Sequence, residues 1–173
     1  AYGLETEVLP LPEQLYRRIA AAEDNLKKIV DVLGKDNYNF GVQIGDAIDN
    51  AADFDDWKEV GDLLGANSLG STDMINIMGN HEYYGDANAD IAAAMYNNPN
   101  TSEGGYYSVR YGNIYIATLN FATTKGQIKE AVDWLVKDAA KTNATWKILC
   151  THQPPYFTNS TGGNDVVNEL LPD

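Results

Sequence analysis

Three short polar segments hold the residue types of this chain best suited to chemistry. They are Gly45-Asp46-Ala47-Ile48-Asp49-Asn50, Gly79-Asn80-His81-Glu82 and Cys150-Thr151-His152-Gln153-Pro154-Pro155-Tyr156. Each follows a short apolar run that reads as a buried strand. In layered α/β folds, ligands gather just beyond the carboxyl ends of the strands. If these three strands are neighbours, Asp46, Asn80, His81 and His152 converge at one edge, and both histidines of the chain fall in that set. Carboxylate, amide and imidazole groups hold divalent ions, and an imidazole can also move a proton.

Charge narrows the chemistry further. The chain has 173 residues, with 25 acidic against 12 basic side chains and a formal net charge of −13. Such a chain does not retain nucleic acid or an anionic lipid surface by general electrostatics. A phosphate would have to meet local cations instead, and metal ions are the natural source. Taken singly, each residue has an ordinary reading as well. Asp46 after a glycine fits a turn or a helix cap, and Asn80 after Gly79 fits a left-handed turn. His81 fits a partly buried, hydrogen-bonded histidine, and His152 a strand-end packing residue. Asp49 and Glu82 fit either carboxylates that orient a ligand or solvated caps.

The positioning elements follow from periodicity. The spacing of Leu15, Ile19, Leu26, Val30 and Leu33 predicts a helix over residues 11–33, stopped at Gly34. Phe40 to Ile44 and Met74 to Met78 read as buried strands. Phe54, Trp57, Val60, Leu63 and Leu64 predict a helix over 54–64, and the acidic run Asp53 to Asp56 fits its start. A short helix is expected over 87–96. Tyr106 to Arg110 and Ile114 to Leu119 flank a Gly-Asn pair and read as a β-hairpin. Ile128, Val132, Leu135 and Val136 predict a helix over 125–140 that faces inward. Trp146 to Cys150 is a further strand, and a last short helix is expected over 165–171. Strands alternating with helices give an α/β layered fold, and the hairpin makes its sheet mixed. Trp57, Trp134 and Trp146 are expected as core anchors. Cys150, the single cysteine, is expected to be an inert core thiol. Tyr83-Tyr84 and Tyr156-Phe157 are open candidates to line a cleft.

The three loops together resemble the central motifs of the calcineurin-like metallophosphoesterases, namely GDxxD, GNHE and a strand-end histidine. The run from Gly105 through Tyr111-Gly112-Asn113, Trp134-Leu135 and Trp146 to Pro154-Pro155-Tyr156 is similar to the branch related to purple acid phosphatases. The resemblance implies an α/β/β/α sandwich with mixed sheets, and a metal-dependent phosphoesterase acting on phosphate mono- or diesters. It implies two divalent ions (Mn, Fe, Zn or Mg), with a metal-bound hydroxide as the attacking group. Asp46 would bridge the ions, since a carboxylate relieves the repulsion between two cations held close together. Asn80 and His152 would bind one of them. His81 would face the substrate and stabilise or protonate the leaving oxygen. Asp49 stands where purple acid phosphatases carry an iron-binding tyrosine, so no iron–tyrosinate centre is expected.

The family's Asp-x-His before the first helix and its Gly-His-x-His near the C-terminus have no counterpart here. The chain, which begins with Ala1, therefore reads as a single domain over 1–173 that lacks its first strand and its C-terminal strands. It should hold one ion or none. The alternative is a catalytically inactive fragment, or a degenerate binding module without a complete metal centre. The expected partner is a small phosphate ester, with no membrane role, and exposed sheet edges favour a homo-oligomer. Likeness to secreted phosphatases points to a bacterial, extracytoplasmic protein.

Overall fold

The computed structural model describes residues 24–66, 68–98, 105–120 and 125–154. The expected helical residues 11–23, the helix over 165–171, and Tyr156-Phe157 lie outside them. The described part of the first helix, α1, covers residues 24–33 and ends at Gly34. There follow β1 (Gly41–Gln43), α2 (Phe54–Gly65), β2 (Met74–Asn76), α3 (Asp90–Tyr96), β3 (Tyr107–Tyr111), β4 (Ile114–Leu119), α4 (Lys125–Ala139) and β5 (Trp146–Thr151). Single 3-10 turns occupy Ser68–Ser71 and His81–Tyr83. Among the described residues, no helix is long and apolar enough to cross a membrane.

The strands form two sheets. β1 pairs with β2 in parallel, Val42 opposite Ile75. β3 and β4 form the hairpin, Tyr111 opposite Ile114, so the turn is Gly112-Asn113 and Tyr111 belongs to the strand. β5 joins β4 in parallel, Ile116 opposite Ile148. A parallel pair needs a crossover, and α4 supplies it. The fold is thus the mixed α/β class that the alternation of elements implies.

β4 is covered on both faces, which explains its unbroken apolar run. Tyr115, Ala117 and Leu119 face α4, where Ile128, Ala131 and Val132 are buried and Trp134 and Leu135 pack alongside. Ile116 and its neighbour Tyr107 face the two-stranded sheet, meeting Ile75, Phe40 and Val42. Side chains alternate across a strand, so one short sequence serves both layers. A polar cluster ties α4 to the hairpin. Asp138 accepts hydrogen bonds from Ser108 Oγ at 2.7 Å, Tyr115 Oη at 3.0 Å and Lys141 Nζ at 3.3 Å. The Ser108 bond, more than the other two, holds the Asp138 carboxyl below its usual range. Burial, reinforced by Asp138, pushes the Tyr115 hydroxyl up to about 12.

α2 begins where the acidic run expects it. Asp53 is its N-cap, accepting from the Asp55 amide at 3.0 Å, with Asp55 and Asp56 in the first turn. Phe54, the first residue of α2, is 60% exposed. Two packing expectations are corrected. Val136 is 54% exposed, since the inward stripe of α4 runs through Ala131 and Leu135 instead. Trp146 is 64% exposed on β5, which has β4 as its one hydrogen-bonded neighbour among the described residues. Leu26 and Leu33 of α1 are also exposed, while Val30 is buried.

Candidate metal centre at the strand ends

β1 and β2 run in parallel, so their carboxyl ends open at the same edge. The chain leaves β1 through Ile44 and enters a tight turn in which Gly45 (φ 79°) and Asp46 (φ 53°) are both left-handed. Asp46 is thus a left-handed turn residue, one of its ordinary readings, and its turn aims the carboxylate across to the next loop. Asn80, by contrast, has φ −80°, so its left-handed reading is corrected. The two loops touch. A Cβ on Gly79 would lie 2.2 Å from Asp46 Oδ1, and a Cβ on Gly45 would lie 2.9 Å from Gly79 Cα, so both glycines are required by close approach.

His152, just beyond β5, reaches the same edge. Its Nδ1 is 2.8 Å from the carbonyl oxygen of Ile44. That bond assigns the proton to Nδ1 in the neutral ring and leaves the Nε2 lone pair facing outward. Nε2 lies 3.1 Å from Asp46 Oδ2 and 3.3 Å from Asn80 Oδ1. The Asn80 amide nitrogen is turned away, donating to Tyr84 Oη at 3.0 Å. Three lone-pair atoms, one carboxylate oxygen, one amide oxygen and one imidazole nitrogen, therefore face a common point. A positive charge between them, a proton or a cation, is what such an arrangement needs.

His81 completes the group from the side. Its backbone N–H donates to Asp46 Oδ1 at 3.0 Å. Its Nδ1 is 2.8 Å from the Asp49 carbonyl, which turns Nε2 towards the site, 3.9 Å from Asp46 Oδ2. The ring is partly open to solvent and packs on Tyr84, with centroids 4.4 Å apart. The Asp49 carboxylate is 90% exposed, with Oδ1 3.3 Å from the same Nδ1. Asp49 contributes its carbonyl first and its carboxylate second.

Glu82 is not a solvated cap: it is 0% exposed. Oε2 accepts the amides of Asp46 at 3.0 Å and Gly79 at 2.7 Å, and Oε1 accepts the amide of Ala47 at 2.9 Å and Tyr96 Oη at 2.5 Å. Burial, then the Glu82 bond and charge, push the Tyr96 hydroxyl far above its ordinary value, so it stays a donor. Tyr96 is held edge-on by Trp57. The sequence offered no sign of Tyr96, because the bond joins α3 to a loop 14 residues earlier; a tyrosine at the end of a predicted helix is no signal. Tyr83 is the more enclosed of the tyrosine pair. It packs on Met78 and Ala89, and Asn120 donates to its hydroxyl. Tyr84 is the exposed member of the pair. Cys150 is half-buried against the core between the sheets, where burial pushes its thiol up.

Among the described residues, no three His, Cys, Asp or Glu side chains form a group that could hold a metal. The set at the strand ends fits an ion only with Asn80 as its third donor. One carboxylate, one amide oxygen and one imidazole suit a divalent ion of intermediate hardness. Fold and site thus define an α/β protein with a small cation-competent cluster at the carboxyl ends of its strands. The sequence matches the model of the calcineurin-like phosphoesterases over residues 19–173, and the chain belongs to that family. Members of the family are in general metal-dependent phosphoesterases that use divalent ions. A comparison with curated proteins finds no match.

Proposed function

We propose that these strand ends form the working edge of a phosphoesterase of the purple acid phosphatase-related branch, hydrolysing a small phosphate mono- or diester. The observation that carries this reading is the meeting of Asp46 Oδ2, Asn80 Oδ1 and His152 Nε2 within 3.1–3.3 Å contacts. These three residues would hold one divalent ion. When bound, the ion supplies positive charge against the phosphoryl oxygens and lowers the pKa of a water. His152 is oriented for this by the Ile44 carbonyl, and Asn80 by Tyr84. His81 has Nε2 turned into the site and free of the ligand set; because Nδ1–H is given to the Asp49 carbonyl, Nε2 serves the leaving oxygen as donor when the ring carries both protons. Tyr84 flanks His81 and offers an aromatic wall to the ester group.

Two histidines are all that the sequence contains. A second ion would share Asp46 and draw its other ligands from beyond this sequence, in keeping with a partial domain. The same fact favours a second reading, a binding module that holds one ion and turns nothing over. Calorimetric titration of the chain with Mn2+ or Zn2+ tests the first step. One weak site, lost in Asp46→Ala and in His152→Ala, is expected. Two tight sites, or a site indifferent to both variants, would refute the ligand set. Metal-dependent hydrolysis of an aryl phosphate, abolished by His81→Ala, separates the enzyme from the binding module.

A further inference from the structure

We propose that Glu82 is a positioning residue that fixes the spacing of the two ligand-bearing loops, and so sets the affinity of the metal site. The inference rests on the reading of Asp46, Asn80 and His152 as ligands. A fully buried carboxylate is costly unless its oxygens are satisfied. Glu82 meets that demand with backbone amides from both loops, Asp46 and Ala47 on one side and Gly79 on the other, plus Tyr96. Its roughly four acceptor positions are all used.

The Asp46 and Gly79 amides converge on one oxygen, so the loops cannot separate without breaking a charge-assisted bond. They cannot approach further either. Gly79 has no room for a Cβ, which would sit 2.2 Å from Asp46 Oδ1 and 2.6 Å from Asp46 N. Glu82 pulls the loops together and the bare Gly79 backbone lets them close. Asp46 is then held at its amide by Glu82 and at Oδ1 by the His81 N–H, which leaves Oδ2 aimed at His152. Glu82 itself touches none of the lone pairs at the site. It acts through the backbone of Asp46 and of Gly79, the residue before Asn80.

Glutamine keeps the shape but has one acceptor oxygen, so an NH2 group must face a loop amide or the Tyr96 hydroxyl. The test is Mn2+ titration by calorimetry of the unaltered chain, Glu82→Gln, Tyr96→Phe, Gly79→Ala and Asp46→Asn, with a urea midpoint for each. Glu82→Gln should weaken Mn2+ binding about 10–100-fold, the usual range for groups that hold metal ligands in place. Gly79→Ala should do the same with Glu82 intact. Tyr96→Phe keeps the three loop bonds, so it should lower the urea midpoint while losing far less Mn2+ affinity than Glu82→Gln. Unchanged affinity in Glu82→Gln beside lost affinity in Asp46→Asn would overturn this inference and leave the ligand set standing. Equal affinity losses in Tyr96→Phe and Glu82→Gln would also overturn it, because the role would then be structural only. Should Glu82→Gln not fold, Gly79→Ala with undiminished affinity would overturn it. If the unaltered chain binds no Mn2+, the ligand reading fails and this inference fails with it.

Discussion

Gly45 is the position where the fold and the site meet most tightly, and its replacement by alanine has a calculable cost. Its φ of +79° lies in the left-handed region, which costs a residue with a Cβ about 1–2 kcal/mol. The new Cβ would also stand 2.6 Å from His152 Nδ1, 2.7 Å from His152 Cγ and 2.9 Å from Gly79 Cα. Two of these neighbours belong to a ring already bonded to Ile44 and one is backbone, so relief requires real displacement. Overpacking of this kind costs about 1–3 kcal/mol. The two terms sum to about 2–5 kcal/mol, a large share of a stability that is commonly about 5–15 kcal/mol. With a urea slope of about 1–3 kcal/mol per molar, the midpoint should fall by about 0.7–5 M, about 2 M at the centre of both ranges. Circular dichroism in urea measures it. Gly61→Ala is the control: Gly61 lies inside α2 with nothing within 4 Å of its Cβ position, so alanine there should stabilise by about 0.5–1 kcal/mol. A Gly45→Ala midpoint within about 0.5 M of the starting chain would refute the close approach of His152 to the turn after β1.

Three further outcomes are expected. Asp138→Asn should destabilise the chain at pH 7 and lose its effect in acid: the folded carboxyl is held below its usual range, so its contribution is complete above the unfolded value near ~3.9 and vanishes as pH falls through the folded one. Urea midpoints of both chains at pH 7 and pH 3 check this, and a constant difference would count against it. Where aryl phosphate turnover is measurable, His81→Ala should lower it by about 10²–10⁴-fold with bound metal unchanged; metal analysis beside the rate distinguishes it from Asp46→Ala, which should lose both. The exposed apolar edge of β5 (Trp146, Ile148 and Leu149) should drive self-association, and Trp146→Lys should reduce it; a starting chain already monomeric by light scattering at high concentration would disprove this.

The strand ends were legible in the sequence because an apolar run closed by a polar loop marks a strand, although the runs read as buried are only partly so: β1 is half-buried, β2 has one buried residue and β5 is mostly exposed. A short continuous apolar run, Val42 or Met74-Ile75 at its centre, is followed at once by glycine and a polar side chain. The hairpin was legible for a similar local reason, since Gly112-Asn113 is flanked by two strand-forming runs. What was not legible depends on neighbours distant in sequence. Trp146 reads as a core residue until β5 is seen at the end of its sheet. Val136 carries an apolar side chain at helical spacing, but which side of α4 is covered is decided by the sheet beneath it. The same holds at the site. That Asp46, Asn80 and His152 gather was expected on condition that their three strands are neighbours, whereas β5 belongs to the other sheet from β1 and β2; that Glu82 would be buried beneath them had no signal. A glutamate after a histidine looks like surface until three backbone amides are found around it.

That burial bears on the site's electrostatics. A net charge of −13 is unfavourable to an approaching phosphate ester, and two carboxylates, Asp46 and Glu82, lie at the strand ends proposed as the working edge. The oxygens of Glu82 are taken up by its four donors, so it acts as a structural anion. One oxygen of Asp46 is absorbed by the His81 amide. Among the described residues, no Lys or Arg forms a hydrogen bond or ion pair with Asp46, Asn80, His81, Glu82 or His152. The negative charge left over is therefore concentrated on Asp46 Oδ2, the atom that faces His152 Nε2 and shares that nitrogen with Asn80 Oδ1. This arrangement concentrates negative charge at one point of the site, where a cation is attracted. Under the proposed function, recognition of the ester would fall to the ion, with the His81 imidazole beside it.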